Sequence, residues 1–213
     1  MDRFIAFEGI EGCGKTTQVR MAGEYLAAQG VSCLATDEPG GTPLGEKIRE
    51  MLLNIGPYAI SPRAELLLFV AARVQHVQDV IRPALEQGKW VLCDRFIDAT
   101  LAYQGYGRGL DRTVIKDLHD FSSASLTPAL TILLDMPVEE GLQRALGRIA
   151  RLQGNNREDR FEKEALSFHQ RVRDGYLALA AEHPARYRII NAAREIAAVS
   201  TDVCRELLAF IKR

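Results

Sequence analysis

Residues Gly9-Ile10-Glu11-Gly12-Cys13-Gly14-Lys15-Thr16-Thr17 match the pattern G-x-x-x-x-G-K-[ST] at every fixed position. The pattern dictates what flanks it. Before it runs Arg3-Phe4-Ile5-Ala6-Phe7-Glu8, a short apolar stretch that reads as a buried strand, and after it Thr17 to Gln29 suits a helix. Three glycines let the backbone curl until successive N–H groups face inward, and the helix adds the positive end of its dipole, so the turn is built for an anion such as a phosphate. Lys15 is placed to reach the outer phosphates of a nucleoside triphosphate. The Thr16 hydroxyl is placed to ligate a bridging Mg²⁺.

A strand that feeds a helix implies further βαβ units, and the chain supplies them. Ser32–Thr36, Lys89–Asp94, Ala129–Asp135 and Tyr187–Ile190 are short apolar runs without strict alternation, as in a parallel sheet covered on both faces. Ser61-Pro62 reads as the cap and first residue of a long helix toward Gln87, and the last helix is expected to align Ile196, Val199, Val203, Leu207 and Phe210 on one side. The expectation is an α/β fold with a five-stranded parallel sheet, formed by the 213 residues as one domain.

Hydrophobic residues make up 47% of the chain and the formal net charge is −1, which argues against disorder and against a general nucleic-acid or membrane-surface binder. Cys13, Cys33, Cys93 and Cys204 form no C-x-x-C pair, so neither a disulfide framework nor zinc is expected. No run is long enough to span a bilayer and no signal-peptide pattern opens the chain, so the expected compartment is the cytoplasm. The thiol of Cys13, beside a helix N-terminus, is expected to be somewhat activated.

Two features narrow the reaction class. There is no N-K-x-D guanine signature and no L-S-G-G-Q-type transporter signature; instead Asp94-Arg95 stands where the third strand ends. Ligands of open α/β sheets bind at the carboxyl ends of strands, so Asp94 is expected near Mg²⁺ and Arg95 near an acceptor's phosphate, a surface ion pair being the alternative. The basic, turn-rich segment 148–160 reads either as a solvated loop or as a lid that brings arginines onto phosphates. Phe69 and Arg73, four apart, share a helix face and could hold a planar base, or could be a core ring beside a snorkelling arginine. Thr100 and Gln104 share the same spacing, and a glutamine amide offers both a donor and an acceptor to a pyrimidine edge.

Five segments, in order, resemble the bacterial thymidylate kinase family: Phe7-Glu8-Gly9 with its phosphate loop; Glu38-Pro39-Gly40-Gly41-Thr42; Ala71-Ala72-Arg73 with Gln75; Asp94-Arg95-Phe96 continuing to Ala102-Tyr103-Gln104-Gly105; and Asp159-Arg160-Phe161-Glu162. The resemblance implies the three-layer P-loop kinase fold with a mobile lid at about 148–160, and transfer of the γ-phosphoryl of Mg-ATP to dTMP in the supply of dTTP. It places ATP on Gly9 to Thr17, Arg144 (against adenine) and Arg148, and Mg²⁺ at Thr16 and Asp94, partly through water. It places dTMP among Glu11 (at the sugar 3′-hydroxyl), Glu38, Pro39, Arg49, Phe69 (stacked on thymine), Arg73 (at O4), Arg95, Thr100, Tyr103 (excluding a 2′-hydroxyl) and Gln104. The variable loop positions carry no arginine, so the lid is expected to supply one. Arg148, Arg151, Arg157 and Arg160 are candidates, and Arg151 or Arg157 is expected to act in catalysis beside Lys15 and Arg95. A homodimer is implied. The alternatives are a kinase for another monophosphate such as dUMP or UMP, or a nucleotide-dependent switch protein.

Overall fold

The computed structural model describes residues 3–55, 59–123, 125–151 and 159–212. Strand β1 (Phe4–Glu8) runs through the phosphate loop into helix α1 (Lys15–Ala28), followed by β2 (Cys33–Asp37), α2 (Pro43–Leu53) and α3 (Pro62–His76). A wide helical turn, Val77–Ile81, joins α3 to the short α4 (Arg82–Glu86). Then come β3 (Trp90–Asp94), α5 (Ile97–Thr100), a second wide-turn segment at Leu101–Gly107, α6 (Arg112–Ser123) and β4 (Leu130–Asp135). The described chain ends with α7 (Val138–Arg151), α8 (Leu166–Glu182), β5 (Tyr187–Asn191) and α9 (Ile196–Ile211).

All strand pairs are parallel, in the order β2-β3-β1-β4-β5. β1 lies at the centre and is buried throughout, which explains its unbroken apolar run; the edge strand β2 is only half-buried. Helices cover both faces, and one continuous core links Phe4, Leu92 and Leu133 of the sheet to Leu26, Val172 and Val203 of the helices.

Ser61 caps α3 by accepting from the Ala64 N–H at 3.4 Å, with Pro62 in the first turn, as the sequence predicts. The long helix expected toward Gln87 is not regular. Pro83 offers no N–H to the carbonyl four residues back and its ring crowds that carbonyl, and the π-type turn at Val77–Ile81 falls just there. On α9, Val199, Val203 and Leu207 are buried, whereas Ile196 is 58% exposed at the first turn. Its carbonyl accepts from Gln18 of α1, which ties the start of α9 to the helix behind the phosphate loop.

Candidate active site

The carboxyl ends of β1 and β3 lie side by side, with Phe7 paired to Asp94 in the ladder. The phosphate loop leaves one and Arg95 leaves the other, so strand pairing brings the two motifs together. Gly12 lies at φ +72°, and a Cβ there would sit 2.0 Å from the carbonyl oxygen of Gly141 on α7. Loop and helix therefore touch backbone to backbone, and only glycine fits. Within the loop, the Lys15 ammonium donates to the Ile10 carbonyl at 2.8 Å and to Cys13 Sγ at 3.5 Å. The Thr16 hydroxyl donates to Asp94 Oδ2 at 2.5 Å. Asp94 thus faces the loop and not the surface, and the surface-ion-pair alternative falls. A hydroxyl and a carboxylate in contact are hard oxygen donors of the type Mg²⁺ takes alongside waters and phosphates. Burial raises the pKa of Cys13 despite the nearby Lys15 charge, so the expected thiol activation is wrong.

The loop separates two cavities. One is lined by Gly12 to Gln18 together with Arg144, Arg148 and Arg194. Gly9, Ile10 and Glu11 turn away from it: the carbonyl of Gly9 accepts from Arg95, Ile10 is in the core, and Glu11 faces the other side. Arg144 donates to the Ala192 carbonyl at 3.0 Å across this cavity's wall.

The second cavity is lined by all ten residues expected around an acceptor, joined by Lys15, Thr16 and Asp94. Arg73, 2% exposed, spends Nε on Glu38 Oε2 at 2.7 Å and Nη2 on the Phe96 carbonyl and Thr100 Oγ1. Its Nη1 is buried without a partner among the described residues. A buried guanidinium N–H left open costs free energy unless something else accepts from it. Glu38 is shared with His76 Nδ1 at 3.0 Å, and Arg73 and His76 hold its pKa down against the upward pull of burial. Phe69 is half-buried beside Phe161, with ring centroids 6.3 Å apart. Arg49 pairs with Asp37 at 2.8 Å and with the Pro39 carbonyl, at the mouth of the same cavity. Thr100 and Gln104 straddle the start of the wide-turn segment, and both are buried on the cavity side.

Around Arg95 lies a cluster that the sequence reading only half sees. Arg95 has φ +71°, a left-handed backbone rare outside glycine. The turn is held by Glu8, whose Oε1 accepts from the Phe96 and Ala99 N–H groups at 2.8 and 3.2 Å and whose Oε2 accepts from the Tyr176 hydroxyl at 2.8 Å. Burial, with the charge of Asp98, pushes the Glu8 pKa up to about 8. The Arg95 guanidinium reaches the Gly9 carbonyl, the Tyr176 hydroxyl and Glu11 Oε1, each at 3.3 Å, and lies 4.9 Å over the Tyr103 ring. Glu11 also accepts from the Tyr103 hydroxyl and from His169 Nδ1 at 3.2 Å. Burial alone would raise the Glu11 pKa, but the His169 hydrogen bond and the Arg95 and Lys15 charges bring it down to about 2. Glu8, His169 and Tyr176 received no role from sequence. His169 and Tyr176 are distant in the chain, and their only signal is polar groups on the buried face of α8.

The segment expected as a lid divides. Residues 148–151 close α7, with Arg148 paired to Glu162 at 3.7 Å and Arg151 exposed. Arg157 lies outside the described residues. The Arg160 side chain pairs with Glu65 at 2.8 Å and caps the Leu52 carbonyl at the end of α2.

The chain as a whole has close counterparts. A family model described as thymidylate kinase matches residues 7–203. A thymidylate kinase of Syntrophus aciditrophicus is 55% identical over 207 residues, covering 97% of this chain and 94% of that one. That of Geobacter sulfurreducens is 51% identical over 213 residues, covering 100% of both. The crystal structure of thymidylate kinase from Ehrlichia chaffeensis superposes with a TM-score of 0.76 at 36% identity, over 96% of this chain and 97% of that one. Matched by the family model over residues 7–203, and more than half identical to relatives over nearly its whole length, this chain belongs to the thymidylate kinase family.

Proposed function

We propose that this protein phosphorylates dTMP to dTDP with Mg-ATP as donor. The observation that carries the reading is Arg73, whose Nη1 is buried without a partner among the described residues and which lines a cavity together with Phe69, Thr100 and Gln104. It is a donor awaiting a carbonyl oxygen beside a ring, as O4 of a thymine would supply. Tyr103, locked by its bond to Glu11, stands where a deoxyribose would lie and a 2′-hydroxyl would crowd it.

The ATP phosphates rest on the amides of Gly12 to Thr17 and on Lys15, whose present partner, the Ile10 carbonyl, is easily exchanged for a phosphate oxygen. Arg144 and Arg148 line the side where the nucleoside would lie. Thr16 and Asp94 would hold Mg²⁺, which when bound neutralises charge on the transferring group. Arg95 and Arg49 orient the acceptor phosphate, whose own oxygen is the nucleophile. That phosphate is largely ionised near neutral pH, so the chain needs no strong base. Glu11, ionised and fixed by His169, aligns the sugar. Arg151 or Arg157 supplies the remaining cation to the transferring group. The homodimer reading draws on α3 and α6, which pack together and expose Leu67, Val114 and Phe121. We place the enzyme in the cytoplasm, in keeping with its four free thiols.

The test is ADP release from Mg-ATP with dTMP, dUMP, UMP, dCMP, AMP and GMP offered separately. Strong turnover with dTMP and little with UMP is expected. Preference for another monophosphate would discard the thymine reading, and nucleotide binding with no acceptor-dependent turnover would point to a switch protein.

A further inference from the structure

Glu65 belongs to no motif and lies at the first turn of α3, yet it is 1% exposed and surrounded by donors. Its Oε1 accepts from Arg108 Nε at 3.1 Å and from Gln104 Nε2 at 2.9 Å. Its Oε2 accepts from Arg108 Nη2 at 3.2 Å and pairs with Arg160 Nη1 at 2.8 Å. Arg108 is held in turn by Glu164 at 2.6 Å. A carboxylate gripped by two guanidiniums has one orientation and can only accept.

That fixes the amide beside it. Gln104 must present its NH₂ to Glu65, so its carbonyl oxygen points away, and no other hydrogen bond from a described residue restrains this side chain. Gln104 lines the acceptor cavity next to Arg73 and Thr100. A base seated in this cavity would meet the Arg73 guanidinium as donor and, with the amide held this way, Gln104 Oε1 as acceptor. This polarity fits a 4-keto pyrimidine with a proton on N3. It opposes cytosine, which offers an amino group and a bare N3 at the same places.

We propose that Glu65 is a positioning residue for base selection: by holding the Gln104 amide in one sense, it makes the site accept thymine and reject cytosine. The proposal rests on the reading of dTMP as acceptor. The geometry also explains why an acid with three cationic or amide partners is buried behind the pocket and not at the surface.

The experiment is steady-state kinetics with dTMP and with dCMP for the wild type, Glu65→Gln, Gln104→Ala and the double variant. A glutamine at position 65 can offer either an amide hydrogen or a carbonyl oxygen, so the Gln104 amide is freed to turn. The expected result is a roughly 10- to 100-fold fall in the dTMP to dCMP ratio of kcat/KM for Glu65→Gln. The loss should lie mainly in the KM for dTMP, with the KM for ATP unchanged. In the Gln104→Ala background the same substitution should leave the ratio where it was. An unchanged ratio in Glu65→Gln, or a fall that multiplies independently with Gln104→Ala, would overturn the proposal. Should Glu65→Gln not fold, the wild type decides. In the dTMP complex, a through-hydrogen-bond NMR coupling between Gln104 ¹⁵Nε2 and the Glu65 carboxyl carbon is expected, and its loss on binding dTMP would overturn the proposal. A wild type that turns over another monophosphate and not dTMP would overturn the reading beneath it instead.

Discussion

Gly141→Ala, in a helix outside every sequence motif, should disable ATP use. Replacing an interior helical glycine by alanine ordinarily stabilises by about 1 kcal/mol through lost unfolded-state entropy. At Gly141 the new Cβ would lie 2.6 Å from the Glu11 carbonyl oxygen and 3.0 Å from Ile10 Cδ1. The nearer contact is with backbone, so the loop itself must retreat, by roughly 0.4 to 0.8 Å to reach an ordinary contact. A displacement approaching 1 Å in a group that positions substrate costs about 100-fold in rate. Gly147, on the same helix, is an internal control, because a Cβ there meets nothing within 4 Å. Gly147→Ala should raise the thermal midpoint by about 2–4 °C and leave kinetics alone. Gly141→Ala should lower the midpoint, raise the KM for ATP and reduce kcat roughly 10- to 100-fold. The assay is thermal unfolding alongside ATP-saturation kinetics at fixed dTMP. If Gly141→Ala behaves like Gly147→Ala in both, the backbone contact with α7 does not hold the loop and the reasoning is wrong.

Further outcomes follow from the buried charges. Native Glu8 keeps a proton that the unfolded chain releases above its ordinary pKa of 4.5, so stability should decline as pH rises from about 4.5 to about 8. Glu8→Gln, which keeps the acceptor for Phe96 and Ala99, should flatten that slope in urea titrations at several pH values; parallel slopes would refute the assignment. Glu11 has the opposite sign: its contribution is complete above 4.5 and disappears as pH falls toward about 2. His169→Phe should weaken this acid limb and raise the KM for dTMP roughly tenfold, and an unaltered KM would separate His169 from the acceptor site. Asp94→Asn should shift the Mg²⁺ dependence of activity upward roughly 10- to 100-fold, and a Mg²⁺ titration superimposable on the wild type's would remove Asp94 from the metal site.

The sheet was legible because β1, β3 and β4 are buried on both faces and read as unbroken apolar runs. Cavity-lining residues were legible where a local pattern marks them, as in the phosphate loop and Asp94-Arg95 at a strand end; the spacing of Phe69 and Arg73 alone left a core pair open, and the resemblance pointed to the cavity they line. What stayed hidden depends on partners distant in the chain. Glu65 and Gln104 are 39 residues apart and Glu11 and His169 are 158 apart, so no spacing rule links them. The wide turn at Leu101–Gly107 was equally silent, since residues four apart share a side in either helical form. Arg160 shows the reverse case: read as one of four candidate lid arginines, it pairs with the buried carboxylate of Glu65.

The ladder pairing of Phe7 with Asp94 has a consequence for the chemistry as a whole. The phosphate-loop motif begins at Gly9, directly past β1, and Arg95 follows β3 at once. On the proposed function, the two sides of the phosphoryl gap are anchored on hydrogen-bonded neighbouring strands, about 4.8 Å apart. Distant loops can lengthen without altering that anchorage, whereas α7, in backbone contact with the phosphate loop at Gly12, can shift the loop from outside the sheet.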